Sequence, residues 1–467
     1  MTTAPRAQIL TLGCARNEVD SDELAGRLEA DGWELTEDRP DVVLVNTCGF
    51  IDAAKTESID TIMDAADGTP VVATGCLAER YGTQLAEELP EAAAVLGFDH
   101  YPAIGQALRT VIDGGQIPSH EPRDRRTMLP ISPAQRQTAP AVVPGHDAAD
   151  LLPGTGDRLL RRRLSGGPVA PLKIASGCDR RCAFCAIPSF RGAFVSRPPA
   201  DIVAEAASLI EQGVVEIVLV SENSTAYGKD LPGGPGLDGL LRSLAQLPGL
   251  QRIRPSYLQP AEIRPGLLDA MAELPSVAPS YDISFQHASG PLLRRMRRFG
   301  DDASFLGLID QIRTRVPEAG IRSNVIVGFP GETEQDVEVL MEFLGAARLD
   351  AVGVFGYSDE EGTEAARLSG GIDPDEIAAR VAAVGEAADA ISTDRAGDRI
   401  GARVEVLVER PADGDAPVGR AAFQGPEDGG CRWIDGVAPP AVGSVVGADV
   451  VDCDGVDLVV VPEVPSG

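Results

Sequence analysis

Cys178, Cys182 and Cys185 stand as Cys-x3-Cys-x2-Cys within GCDRRCAFCAIPSFRG. Three thiolates on so short a loop suit iron and sulfur. A cube of four irons held by three thiolates keeps one iron without a protein ligand, and an open coordination position marks a catalytic metal rather than a structural one. The competing reading is a zinc ion with a distant fourth ligand. Zinc pairs ordinarily read Cys-x2-Cys twice, and no second pair follows here. Cys14, Cys48 and Cys76 make a second set, in LTLGC, LVNTC and VATGC. Each lies just past an apolar run that reads as a strand. The carboxyl ends of neighbouring parallel strands open on one crevice, so three thiols 34 and 28 residues apart converge there. The alternative is three small buried apolar residues, a common fate of free cysteine. Cys431 and Cys453 lack metal-like spacing and are expected to be inert.

The elements that must position these groups follow from periodicity. Across residues 6–113 apolar strands (8–12, 41–46, 70–74) alternate with amphipathic helices (21–30, 53–65), the pattern of βαβ units and a parallel sheet. Residues 114–165 are rich in Pro, Gly and Arg and read as a linker or insertion, with Arg161, Arg162 and Arg163 as a solvated patch. Across 166–396 six strand-like runs (172–176, 216–220, 252–258, 281–286, 323–328, 351–357) alternate with helices and lead into a helix at 375–395. Six units are too few for an eight-fold barrel, so the expectation is an open, partial (β/α)6 barrel. Its first βα loop carries Cys178, Cys182 and Cys185 to the rim where such barrels build active sites. Across 399–464 short strands with turn signals (404–408, 419–423, 447–452, 457–461) predict a small all-β barrel. The fold class is therefore α/β with an appended β module.

Charge narrows the partner. The 467 residues hold 41 Lys+Arg against 71 Asp+Glu, a net charge of −30, and the only lysines are Lys55, Lys173 and Lys229. Aromatics are 4%, too few for a stacking surface. Such a chain repels phosphate backbones and attracts basic partners, so a nucleic acid, tRNA included, is disfavoured. The β module by itself holds 5 Arg and 12 Asp+Glu from Arg399 onward. No export signal and no apolar run of roughly 18–20 residues is visible, which predicts a cytoplasmic protein without a membrane partner. In that compartment the eight cysteines are ligands or reactive groups rather than disulfides.

The cysteine spacing, with Phe184 before the last thiol, resembles the signature of the radical S-adenosyl-L-methionine (SAM) superfamily. Two three-cysteine sets on one chain resemble the methylthiotransferases over the whole length, in the order N-terminal cluster domain, radical-SAM barrel and C-terminal β-barrel of the TRAM kind. The stretches that carry the likeness are NEVDSDELAG, NTCGFIDAAKTESID, GCDRRCAFCAIPSFRG, SFQHAS, RRMRR, VGFPGET and GVFGYSDEEGT. Their wording is similar to the branch that modifies a ribosomal protein rather than the branch that modifies tRNA adenosine. The resemblance implies two 4Fe-4S clusters, Cys14, Cys48 and Cys76 on the first and Cys178, Cys182 and Cys185 on the second. It also implies SAM as methyl donor and radical source, with a sulfur donor and an electron donor as further partners. The reaction implied adds a methylthio group to the β-carbon of an aspartate of ribosomal protein S twelve. Phe184, Ser221, Glu222, Asn223 and Asn324 are the expected SAM contacts, at strand ends of the barrel. CARN, at the first cysteine, and SENSTAYG, after the second barrel strand, depart from the family's usual wording. Gly328 and Gly331 permit close backbone approach or ordinary turns, and His287 carries no assignment. The rival readings are the tRNA adenosine enzyme of the same family and, from another class, a non-catalytic iron–sulfur electron carrier.

Overall fold

The computed structural model describes residues 4–127, 161–411, 418–434 and 440–463. The first unit is a five-stranded parallel sheet in the order β2-β1-β3-β4-β5. Its strands are β1 (Arg6–Thr11), β2 (Glu34–Leu35), β3 (Val42–Thr47), β4 (Val71–Gly75) and β5 (Ala92–Val95). Helices α1 (Ala15–Ala30), α2 (Asp52–Ala65), α3 (Cys76–Glu88) and α4 (Ile104–Ile112) cover it. β3 and β4 are buried throughout and begin as continuous apolar runs, Val42–Val45 and Val71–Ala73, because both faces of the sheet are covered. Val42 and Leu44 pack with Leu24, Leu28 and Trp33 on one side. Val43 and Val45 pack with Ile62 and Leu85 on the other. Three strands stand where the periodicity puts them. β2 and β5 were not foreseen, the first being two residues long and the second mostly alanine.

The central unit has six parallel strands: β6 (Val169–Lys173), β9 (Glu216–Val220), β10 (Arg252–Pro255), β11 (Ser280–Asp282), β12 (Gly320–Val327) and β13 (Ala351–Gly356). A two-residue pair, β7 (Ala175–Ser176) and β8 (Val195–Ser196), clasps the base of the cysteine loop. The strands form two three-stranded sheets, joined by bridges from Ile253 to Val277 and from Leu258 to Ile283. Helices α5 (Ile187–Arg191), α6 (Pro199–Glu211), α7 (Leu237–Leu244), α8 (Pro265–Glu273), α9 (Gly290–Arg295), α10 (Asp302–Arg315) and α11 (Glu334–Ala347) follow the strands. Ile217 and Leu219 of β9 belong to the main core, whereas their neighbours Val218 and Val220 point the other way and meet Val19 of α1. Period-2 alternation puts those valines on the inner face. α1 of the first unit therefore packs against the inner face of the incomplete barrel.

α12 (Pro374–Gly397) leads to a closed five-stranded barrel, β14 (Arg403–Val408), β15 (Gly419–Ala421), β16 (Cys431–Trp433), β17 (Val445–Asp454) and β18 (Asp457–Pro462). It docks at the amino ends of the central strands. Glu216, the first residue of β9 and wholly buried, accepts from Arg254 (3.0 Å), Arg252 (3.3 Å) and Arg420 of β15 (2.9 Å). The module thus sits at the end opposite the cysteine loop. Cys431 is buried in its apolar core.

Two expectations need correction. Arg161 is no solvated group: its guanidinium is 4% exposed and pairs with Asp22 of α1 and Glu205 of α6, both at 2.9 Å. Charge runs read as surface unless the distant carboxylates are known. The start of the proposed linker is also packed: His120 and Arg125 are buried, and Arg125 pairs with the fully buried Glu79 at 2.6 Å. Residues 128–160 of that segment lie outside the described residues. Gly328 does lie close to another element, as a Cβ there would meet Ile377 at 2.6 Å, and His287 is a buried partner of Glu332.

Candidate metal centres

The loop carrying Cys178, Cys182 and Cys185 leaves β6 through Gly177, at φ +77°, where a Cβ would stand 2.2 Å from the carbonyl oxygen of Ala193. Only glycine fits there. The loop is pinned along its length. Cys178 N donates to Gly192 O (3.1 Å), Ala183 N to Met296 O (3.0 Å) and Cys185 N to Cys182 O (3.2 Å). The Asp179 carboxylate accepts from Phe194 N at 3.0 Å. The three thiols are half-buried and free. Burial, with the charge of Cys182 added, pushes the Cys178 thiol up to about 12 and Cys185 higher still. Arg298 points a guanidinium N–H at Cys182 Sγ (3.7 Å), and its other arm donates to Ser284 O.

The second set comes together from three strand ends, with a glycine beside each thiol making the fit possible. Cys14 caps α1, and Cys76 opens α3. A Cβ on Gly13 would lie 2.9 Å from Cys48 Sγ, and one on Gly49 2.8 Å from Leu77 Cα, so adjacent loops touch. Asn17 ties them: its amide donates to Leu12 O (2.8 Å) and Thr47 O (3.1 Å), and its oxygen faces Cys76 Sγ at 3.7 Å. Burial raises the Cys48 thiol to about 11, with Cys76 and Cys14 adding their charge. Cys14 is exposed, and Arg16 two residues on is bonded to Glu222 of the central unit, so this set faces the barrel.

A buried ionic joint holds the two sets against each other. α5 follows directly on Cys185, buries Phe190 in the first unit's core, and sends Arg191 to Cys76 Sγ (3.0 Å), Asn17 Oδ1 (3.0 Å) and Asp20 (2.9 Å). Lys173 of β6 meets Asp20 and Glu23 of α1, each at 2.9 Å. Arg16 is bonded to Glu222. Burial by itself would raise Asp20; Lys173, Arg191 and Arg16 outweigh it and hold the carboxyl well below its usual range. None of Arg16, Asn17, Asp20, Lys173, Arg191 or Arg298 was singled out from the sequence. The available signal was the spacing of Arg16, Asp20 and Glu23 along one helix face.

Ser221, Glu222 and Asn223 are brought together at the carboxyl end of β9. Ser221 Oγ contacts Ser224 Oγ (3.1 Å), and Asn223 donates to Glu262 (3.2 Å). Glu262 also binds Arg180 of the cysteine loop and Lys229. Glu222 faces the first unit through Arg16, and its Oε2 has no hydrogen-bond partner among the described residues. Asn324 lies on β12, within 3.4 Å of Arg322, and Phe184 packs half-buried against the central core.

Each set offers three free thiols and no disulfide. Within each set the thiols feel one another's charge, yet among the described residues no three Cys, His, Asp or Glu converge as the donors of a single ion must. Three free thiols on each set are donors of the kind that hold a four-iron cube with one iron left open.

The fold and site define a radical-SAM protein with a second cysteine-bearing sheet domain in front of the barrel. Residues 172–344 match the Radical SAM superfamily, and residues 6–97 match the Uncharacterized protein family UPF0004. Among solved structures the chain is similar to the radical S-adenosylmethionine methyltransferase TsrM of Kitasatospora setae. That likeness has a TM-score of 0.51 and 16% identity over 76% of this chain and 72% of that one, and it concerns the fold alone. Among curated proteins it is 58% identical to the ribosomal protein uS12 methylthiotransferase RimO of Saccharopolyspora erythraea, over 98% of this chain and 95% of that one. It is 56% identical to the protein of that name from Cutibacterium acnes, over 97% of each. The chain belongs to the RimO family of radical-SAM methylthiotransferases.

Proposed function

We propose that this enzyme adds a methylthio group to ribosomal protein uS12, at the β-carbon of an aspartate. In this reading Cys178, Cys182 and Cys185 hold the 4Fe-4S cluster that binds SAM, and Cys14, Cys48 and Cys76 hold a second 4Fe-4S cluster that presents the sulfur. Bound there, cluster and SAM supply a one-electron chemistry able to take a hydrogen atom from a C–H bond too weakly acidic for any side-chain base. The chain's own residues position and shield. The Gly177 turn and the Cys178–Gly192 bond fix the thiol loop. Arg298 sets the charge beside Cys182. Asn17 and Arg191 hold the first set against the barrel. Phe184, Ser221, Glu222, Asn223 and Asn324 are the proposed SAM contacts, with Glu222 held in place through Arg16 on its Oε1.

The observation that carries this reading is the joint itself: one short helix links Cys185 covalently to a guanidinium lying on Cys76. An electron carrier needs neither a second open thiol set nor a barrel around it. A net charge of −30 supports a basic protein substrate, with a sulfur donor and an electron donor as further partners. Eight free cysteines suit the reducing cytoplasm.

The test is anaerobic reconstitution with iron, sulfide and dithionite, followed by incubation with SAM and either uS12 or tRNA. Formation of 5′-deoxyadenosine together with methylthio mass on the uS12 aspartate is the expected result. Mass appearing on tRNA adenosine instead would reassign the substrate, and iron without SAM cleavage would leave an electron carrier.

A further inference from the structure

Arg191 belongs to the radical-SAM loop by sequence and to the first thiol set by contact. It is 5% exposed, with one Nη on Asp20 and the other shared between Asn17 Oδ1 and Cys76 Sγ at 3.0 Å each. Its guanidinium lies over the Phe98 ring, 4.7 Å from the centroid. Around it the buried charges balance, Arg16, Lys173 and Arg191 against Asp20, Glu23 and Glu222. Asp20 keeps Lys173 without Arg191, so salt bridging of the two units does not require a cation on the sulfur itself. An N–H donated to a cysteine ligand, together with a fixed positive charge, stabilises the reduced and more negative state of an iron–sulfur cluster. Arg298 makes a longer contact of the same kind with Cys182 (3.7 Å), and its other arm donates to the Ser284 carbonyl rather than to a carboxylate.

We propose that Arg191 is a positioning residue that sets the reduction potential of the N-terminal cluster, and so couples that cluster to the loop that holds the other one. This rests on Cys14, Cys48 and Cys76 holding a cluster. The step it governs is the uptake of one electron from an external reductant, with no bond formed or broken.

The experiment uses the full chain with Cys178, Cys182 and Cys185 changed to Ala, so that only the N-terminal site loads. Reconstituted protein is titrated with dithionite and followed by electron paramagnetic resonance, with Arg191, Arg191→Lys and Arg191→Met compared at equal iron content. The Met variant is expected to shift to a more negative midpoint. At the parent's midpoint its reduced-to-oxidised ratio falls about tenfold, which is 59 mV for a one-electron couple. The Lys variant, keeping the charge, shifts less. A Met variant with the parent's midpoint and full iron would overturn the proposal and leave Arg191 a purely structural tie. If the Met variant does not load iron, Arg191→Gln carries the same comparison, and an unchanged midpoint there overturns it equally. A parent that binds no iron at all would overturn the cluster assignment instead, and the proposal with it.

Discussion

The central thiol set is drawn from eight residues of one loop, whereas the N-terminal set is gathered from three strand ends spanning 63 residues. The first needs only a glycine turn and a few backbone hydrogen bonds to hold its shape. The second needs an entire parallel sheet, an asparagine binding two of the loops, and a cation from another unit. Their surroundings differ in the same sense. Cys182 meets a single guanidinium at a half-buried position, while Cys76 lies in a buried joint of three cations and three anions. A local loop suits a site that must admit a small molecule. A site assembled from distant segments is only as rigid as the charges that bind them, and buried charges are stable only when every partner is present.

The largest effects separate the two sets by product. Cys182→Ala should lower 5′-deoxyadenosine formation by more than ~1,000-fold, about 4 kcal/mol in barrier, and remove about half the bound iron. Cys48→Ala should remove the other half and abolish methylthio product while SAM cleavage continues. Equal loss of both products in both variants would break the division of labour between the sets.

Next come the charges of the joint. Asp20→Ala strands Lys173 and Arg191 and should cost about 3–5 kcal/mol in chemical denaturation. Iron should be lost from the N-terminal set before the central one. Loss in the opposite order would mean that the joint serves the barrel rather than the sheet.

Glu205 gives the pH dependence. It is buried, which opposes ionisation, but Arg197 and Arg161 outweigh the burial and hold it at about 2 against an ordinary 4.5. A carboxylate held low stabilises the fold fully above its unfolded value and loses that contribution as pH falls through the folded one. About 3 kcal/mol should therefore disappear between pH 4.5 and 2, read as a falling urea midpoint, and Glu205→Gln should flatten that slope. The smallest effect serves as a control far from both sets. Arg403 and Glu463 pair at 2.7 Å but are 70% and 39% exposed, so Arg403→Ala should change stability by about 0.5 kcal/mol or less and leave iron content alone.

Much of the scaffold was legible because apolar periodicity is a local property. β9 stands at residues 216–220, as its apolar run predicts, and the three long N-terminal strands lie within two residues of their expected ends. α1 begins at Ala15 rather than at residue 21, because Arg16, Asn17 and Asp20 read as surface when only their own neighbours are considered. The same error put Arg161 in solvent. β16, a three-residue strand in a region of glycines, gave no pattern to read.

The sequence by itself determined the chemistry on offer: six thiols with their spacing, the glycines beside them, and the strands that end where the thiols begin. Only the tertiary structure decided how those thiols are held, since Asp20 meets Lys173 from 153 positions away and Arg191 reaches Cys76 across 115. The reason is physical. An apolar side chain declares its burial through its own water-avoiding surface, whereas a charged one is buried only where a partner compensates it, and that partner is chosen by the fold.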